Sequence, residues 1–565
     1  MPRLLRPFLA PLFGVCLLAS ACNLNEPATI AEQDATLSNA EALIAPWISD
    51  EAPGLAIAIH KDGETVLARG AGLANLEHGI SITPDTVFHV ASVSKQVTAF
   101  AIMMLVDEGK LALEDDIRTH LPELKSLGDP ITVKHLLTHM SGYREIGTLS
   151  AMAGWFEDDV AEEAQIYNLI AAQTGRNFAP DARVEYSNTG YFLLARLVER
   201  ISGEEFEDFT RTRLFEPLGM SRSRFHTDRG AVVRDFADSY FFTGEDYRKY
   251  TYHAETTGAS GLLTTAHDLL KWANNFREQT VGSPRVFDLM AERSFAANGE
   301  ASTFANGQEL RPYNGLETWS HGGTIAGYKS FLMRVPSEDF AISILSNRED
   351  FDTAKLAFAL VDVFLKDAPG YAVDAQPDWQ PATEEDLEAF AGIYEFFPAV
   401  NFNIENTKDG LSFGIYGSGP GNLIPQIGQR TFELNKERGL SVTFNQDDDG
   451  KPTRLSYQIG LHGAIPAKRI ELAPFDASNV SLVDYTGRFY SEELSTQFVF
   501  ALKDGALTGH HPRLAAFNLS PYQPDTFATG AAIQKVQFLR DDRGAITGFL
   551  GSGPLALDVV FEKVG

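Results

Sequence analysis

The sequence predicts an α+β domain followed by two small antiparallel β-barrels. Three observations lead there. Strand hairpins stand at both ends of the chain up to about residue 350, with helices between them and no regular βα alternation. A stretch rich in Pro, Ala, Gly and Asp follows, and the remainder holds an internal repeat of about ninety residues. The chain has 565 residues, room for three to four domains at roughly 150 residues each. With 44% hydrophobic and 22% charged residues, it has the composition of a globular protein that buries large cores. Its 47 basic and 76 acidic side chains leave a formal charge of -29, which excludes nucleic acid as a partner class and disfavours anionic lipid surfaces. Cys16 and Cys22 are the only thiols, so residues 23–565 can form no disulfide among themselves and no Cys-ligated metal site.

Arg3 and Arg6 precede a mostly apolar run from Phe8 to Leu18 and then Ala19-Ser20-Ala21-Cys22. This reads as an export signal over residues 1–21, too short to span a membrane as a helix. Cys22 resembles a bacterial lipoprotein site and is a candidate for lipidation. Ala19 stands where leucine is usual, so ordinary cleavage after Ala21 remains the alternative. The expected location is exported: a periplasmic or outer-membrane lipoprotein, or a secreted protein without lipid, with membrane contact only through that anchor.

A first helix is predicted through Ala42, Leu43 and Ile44. Strands Gly54–His60 and Thr65–Gly70 then flank the turn Lys61-Asp62-Gly63. Val97 to Val106 is almost wholly apolar and ends at Gly109; a helix hydrophobic on every side must be central, which sets Ser92 at the mouth of a buried helix. Leu194, Leu197, Val198 and Ile201 at helical spacing give a helix over Phe192–Ile201, stopped by Gly203. Lys329–Val335 and Phe340–Leu345 form a second hairpin around Ser337-Glu338-Asp339.

The first domain thus covers 22–368 and the linker 369–383, with barrels over 384–475 and 478–565. In the repeat, Phe390-Ala391-Gly392-Ile393-Tyr394 returns as Tyr485-Thr486-Gly487-Arg488-Phe489, and Leu423-Ile424-Pro425 with Thr431-Phe432 returns as Leu519-Ser520-Pro521 with Thr526-Phe527. The apolar stripes of barrels this size are expected to fill their own interiors, and the runs Asp447-Asp448-Asp449 and Asp541-Asp542 to face solvent in turns.

Three motifs bear chemistry. Ser92-Val93-Ser94-Lys95 places a lysine beside a serine on one helix face, at a helix end whose partial positive charge and free N–H groups favour an oxyanion. A serine hydroxyl needs a base, and lysine serves once burial lowers its pKa. Tyr186-Ser187-Asn188 lies just before the Phe192 helix, and His321-Gly322-Gly323 opens the Lys329 strand region. Each alone is expected about once by chance in a chain of this composition. All three in this order, each at an element boundary, are not.

Together they resemble the active-site motifs of the penicillin-recognising serine hydrolases, a family that includes class C β-lactamases, DD-peptidases, D-aminopeptidases and related esterases. Phe88-His89-Val90-Ala91 before Ser92, Ile131 to His139, Leu214 to Met220 and Ser260-Gly261-Leu262 strengthen the likeness. The resemblance implies a β-lactamase-like domain, an antiparallel sheet flanked by helices plus a helical subdomain, with lipocalin-like barrels behind it. It also implies Ser92 as acylated nucleophile, Lys95 and Tyr186 as proton shuttles, and Asn188 as a ligand of substrate amides. His321, Gly322, Gly323 and Thr324 would bind substrate, the backbone N–H groups of Ser92 and Thr324 forming the oxyanion hole. Penicillin-binding members carry lysine where this chain has His321. A neutral imidazole attracts a carboxylate less, so the three-domain D-aminopeptidases are the nearer match.

The expectation is an exported serine hydrolase working through an acyl-enzyme on amides, esters or short peptides, of D-aminopeptidase or D-amino-acid amidase type. The alternatives are a carboxylesterase on the same scaffold and a non-catalytic binder of peptidoglycan fragments. No cofactor or metal is expected: there is no H-E-x-x-H, and His135 with His139 lacks the intervening glutamate. Those two histidines are expected to be structural, and Tyr143 and Tyr328 either line the cleft or belong to the core.

Overall fold

The computed structural model describes residues 30–564, apart from 157, 298, 300, 374–378, 417–420, 436–439, 448–449, 460–463 and 474. The export signal with Cys22, the middle of the linker and Asp448-Asp449 therefore lie outside the described residues.

A seven-stranded antiparallel sheet forms the frame of the first domain. Its order is Phe304–Ala305, Gln308–Tyr313, Leu316–Ile325, Tyr328–Val335, Phe340–Ser346, Leu55–Lys61 and Glu64–Ala71. The N-terminal hairpin closes onto the last strand, with Leu55 opposite Ser346 and Lys61 opposite Phe340. Asp62 and Gly63, at φ 53° and 86°, make the tight turn that two positive dihedrals allow. Side chains alternate between faces along Leu55–Lys61. Leu55, Ile57 and Ile59 pack under the helices Ile30–Ile44 and Thr353–Leu365, while the small Ala56 and Ala58 admit the helical layer on the other face.

That layer is built around helix Ser94–Asp107, with Asn188–Ser202 and Ala266–Glu278 against it. Twelve residues of Ser94–Asp107 are buried, as an all-round apolar helix requires. Ser92 itself sits one turn earlier, in the 3-10 turn Ala91–Val93. His321 does not open the Lys329 strand; it lies on a separate strand, Leu316–Ile325, whose partner across the sheet is Leu332.

The repeat becomes two eight-stranded antiparallel sheets. The second, from Gly487–Ser491 to Ala556–Val564, closes into a barrel through Arg488 opposite Val564. Rings fill it: Phe549 stacks on Phe561 at 4.4 Å, and Phe489, Phe500 and Phe538 lie around them. The first, from Gly392–Phe397 to Ala464–Ile470, is open between Asn422–Leu423 and Thr431–Asn435, where pairing shrinks to Glu433 N to Pro425 O at 2.8 Å and Ile427 N to Thr431 O at 2.9 Å.

The repeated phrase has one structural meaning. A short helix delivers Phe390 or Tyr485 to plug the barrel end, against Phe444 at 4.4 Å and Phe538 at 4.8 Å respectively. Gly392 and Gly487, at φ 154° and 147°, then turn the chain into the first strand past Arg469 and Lys563.

The second barrel also shares a core with the first domain, since Leu149, Met152 and Leu169 pack with its aromatic interior. No helix among the described residues is long and apolar enough to cross a membrane.

Candidate active site

The nucleophile turn is pinned from four sides. Ala91, just before Ser92, is left-handed at φ 47°, and its N–H donates to His89 Nδ1 at 3.0 Å. Burial holds that imidazole to a pKa of about 3, with His226 nearby acting the same way, so its lone pair is always available. The Ser94 hydroxyl donates to Ala91 O at 2.6 Å and accepts from Leu262 N at 3.1 Å, tying the turn to the strand Leu262–Thr264. The Ser330 hydroxyl donates to Val90 O at 2.7 Å. Gly323 completes the clasp, for a Cβ there would lie 2.3 Å from Val90 O; only glycine lets the Leu316–Ile325 strand approach so closely. Ser92 remains partly exposed.

Lys95 is completely buried. Its Nζ lies 3.2 Å from Ser92 Oγ, 2.7 Å from Asn188 Oδ1 and 2.8 Å from Ala259 O. Burial lowers its pKa to about 7, with the Glu145 charge pulling the other way. A neutral amine has two hydrogens and one lone pair. Two of the three neighbours are oxygens that can only accept, so the lone pair is left for the serine hydroxyl.

Tyr186 lies beside Ser92, and its ring centroid is 4.8 Å from Lys95 Nζ. Burial pushes its phenol well above the ordinary value, so it stays protonated. The ring rests on His139 at 4.5 Å, and His139 Nδ1 accepts from Ser187 N at 3.0 Å, aligning the Tyr186-Ser187-Asn188 segment. Burial, and next the nearby Lys95, hold His139 well below its usual pKa. Ser187 caps the helix Asn188–Ser202 by accepting from Gly190 N at 3.2 Å, so Asn188 is its first residue.

Asn188 is fully engaged within the protein: Nδ2 donates to Glu145 Oε1 at 2.7 Å and N donates to Oε2 at 2.8 Å. His321 is buried, with Nδ1 2.6 Å from Gly322 O and Nε2 without a hydrogen-bond partner among the described residues. Burial, then Lys95, bring its pKa to about 3. Thr324 is exposed, one residue beyond the point where Gly323 meets Val90. The structure thus brings Ser92, Lys95, Tyr186, Asn188 and His321 together, with Gly323 packed against the turn before Ser92 and Gly322 and Thr324 beside it on the same strand.

Of the other residues singled out in the sequence, His135 pairs with Asp181 at 3.1 Å and caps a short helix by accepting from Thr132 N. Tyr143 and Tyr328 belong to the core. Tyr143 is buried, and Tyr328 donates to Ala237 O at 2.5 Å and stacks on His89. Sequence reasoning missed Glu145 and Ala259, and it quoted His89 within a supporting phrase without giving it a role. Glu145 lacks any spacing signal, and Ala259 acts through its carbonyl, which no side-chain motif records. Among the described residues, no three His, Cys, Asp or Glu side chains are grouped to hold a metal ion.

Residues 30–364 match the Beta-lactamase family model. The chain is similar to a D-aminopeptidase of Brucella anthropi, 23% identical over 529 residues that cover 91% of this chain and 95% of that protein. Its fold is similar to that of an octameric penicillin-binding protein homologue from Pyrococcus abyssi, with a TM-score of 0.55 and 22% identity, covering 78% of this chain and all of the other. It is also similar to a D-amino acid amidase from Ochrobactrum anthropi solved with L-phenylalanine amide, with a TM-score of 0.52 and 21% identity, covering 59% of this chain and all of the amidase.

Proposed function

From the premise that the chain belongs to the Beta-lactamase family, we propose that it is a D-aminopeptidase-like serine hydrolase that acylates Ser92. The observation that carries this reading is a buried lysine with a pKa of about 7, its Nζ 3.2 Å from the serine hydroxyl and its other neighbours acceptors. Neutral Lys95 takes the Ser92 proton as Oγ attacks the substrate carbonyl carbon. The carbonyl oxygen becomes an oxyanion facing the N–H groups of Ser92 and Thr324, a contribution of about 3 kcal/mol per donor. Collapse breaks the C–N bond, and Tyr186, a neutral phenol, relays the proton from Lys95 to the departing amine. Water then cleaves the ester by the same steps in reverse roles.

The charges favour a substrate with an amine near the scissile bond. His321 is neutral and presents a buried Nε2 acceptor that has no partner among the described residues, and Glu145 brings a negative charge close to Lys95. A penicillin carboxylate gains little beside such groups. The likeness to D-aminopeptidases along nearly the whole chain supports the same class. Export with a lipid on Cys22 is part of the proposal, supported by Arg3, Arg6, the apolar run and Ala19-Ser20-Ala21.

Turnover of D-alaninamide, a short-chain nitrophenyl ester and nitrocefin by the full chain tests the reading, alongside intact-mass labelling with a fluorophosphonate. The expected result is amide hydrolysis exceeding nitrocefin hydrolysis, with one adduct on the wild type and none on Ser92→Ala; the same spectra read the mature N-terminus. Fast nitrocefin cleavage without amidase activity, or an adduct that survives Ser92→Ala, overturns it.

A further inference from the structure

The Asn188 side chain can be turned end for end without changing its shape, yet only one orientation offers Oδ1 to Lys95. What enforces it is a group that accepts and never donates. Glu145, 6% exposed, receives Asn188 Nδ2 at 2.7 Å, Asn188 N at 2.8 Å and Thr189 N at 3.3 Å. A glutamine there would turn an NH₂ toward one of those donors. The carboxylate also caps the helix Asn188–Ser202, whose positive end offsets the cost of burying it.

Glu145 is held from outside its own domain. Its N–H donates to Leu555 O at 2.9 Å, in the hairpin between the last two strands of the second barrel. The preceding Arg144 sends Nη1 to Glu493 Oε1 at 2.7 Å, Nε to Leu557 O at 2.8 Å and Nη2 to Asp558 O at 3.1 Å. Both members of the Arg144–Glu493 pair are almost fully buried. Asn177 adds Nδ2 to Leu555 O and accepts from Leu557 N, each at 2.9 Å.

We infer that Glu145 is the positioning residue that orients Asn188 and supplies the charge opposing a protonated Lys95, and that the second barrel fixes it there through Leu555 and the Arg144–Glu493 pair. This rests on Lys95 being the base of the preceding section. The groups facing Lys95 are Ser92, Asn188, Ala259 O, the rings of Tyr186 and Tyr191, the imidazoles of His139 and His321, and Glu145. Glu145 is the member of this set that stabilises the ammonium form by charge. Removing its charge lowers the pH at which Lys95 loses its proton.

The test is the rate of Ser92 labelling by a fluorophosphonate as a function of pH, in the full chain and in Glu145→Gln, with thermal melts to establish folding. The expected result is an acid limb shifted down by about half a pH unit or more, with a plateau about tenfold lower because the Asn188 amide loses its fixed orientation. Glu145→Asp, which keeps the charge, should return the limb toward the wild-type position. An unmoved limb in folded Glu145→Gln overturns the inference. Should that variant not fold, the double variant Arg144→Met/Glu493→Met keeps Glu145 and removes its tether: a limb displaced in the same direction supports the inference, and a wild-type limb overturns it. Wild-type protein that does not label, or labels equally in Ser92→Ala, sinks the hydrolase reading itself, whereas labelling at Ser92 with an unmoved limb sinks only the role of Glu145.

Discussion

Ser92 reacts when Lys95 is neutral, and burial is what brings that amine from 10.5 to about 7. In the wild type, the rate of fluorophosphonate labelling should therefore rise about tenfold per pH unit below neutrality and level off above it. His321, held to about 3 by burial, adds no step between pH 5 and 8, and burial holds His139 well below its ordinary value too. Lys95→Arg, permanently charged, should lose at least about a hundredfold of that rate, and some stability with it because its charge is buried. A flat profile, or a Lys95→Arg variant of normal rate, would place the base elsewhere. The linkage has a definite sign: the folded state holds fewer protons on Lys95 than the unfolded chain between about 7 and 10.5, so the cost of burying it falls as pH rises through that window. At this scale the sequence was informative wherever a side chain carries its own chemistry in a local pattern, as Ser92 with Lys95 or Tyr186 with Asn188 does. Glu145 was invisible because what distinguishes it is burial against a helix begun 43 residues later, and nothing in Tyr143-Arg144-Glu145 signals that.

The elements that read well were the long, periodic ones. The hairpin around Asp62-Gly63, the apolar helix through Val97–Val106 and the Gly203 stop all appear within a few residues of where patterning put them. The elements that anchor the nucleophile turn did not read at all. Phe88–His89, Arg224–Phe225 and Leu262–Thr264 form a three-stranded sheet from pieces of two or three residues, too short to show a period and joined only by tertiary folding. Ser94 is the stitch between that sheet and the turn. Ser94→Ala leaves the buried Leu262 N–H without its acceptor, an expected loss of about 1–3 kcal/mol. It should also slow acylation by loosening the left-handed Ala91. Denaturant titration and pre-steady-state labelling check both, and a variant equal to wild type in each would remove Ser94 from this role.

Across the whole molecule, the repeat announced two small barrels, of which the second is closed and the first is an open eight-stranded sheet, and the shared Phe390/Tyr485 plug explains why the phrase recurs. Their different closure was not legible, because the same hairpin is a full ladder at Phe517–Gln523 with Thr526–Thr529 and only a few bonds around Pro425 and Thr431. Nor was the docking of the second barrel, which is made largely through the carbonyls of Leu555, Leu557 and Asp558. Its buried ion pair, Arg144–Glu493, is a sharp point of attack; the other pair, Arg513 with Asp159, is far more exposed. Arg144→Ala or Glu493→Ala strands a buried charge and should cost about 3–5 kcal/mol, while the paired methionine substitution should be close to neutral in stability. Thermal or chemical unfolding of the three variants gives the comparison; a double-variant loss as large as the two single losses added together would mean that the pair is not coupled.

The turn at Leu555 belongs to the second barrel, yet its carbonyl steadies the acid beside the reactive amine. A disturbance of that turn, remote from the catalytic helix in sequence, therefore has a short mechanical route to the nucleophile: through the Glu145 backbone, into its carboxylate, and on to the Asn188 amide and Lys95.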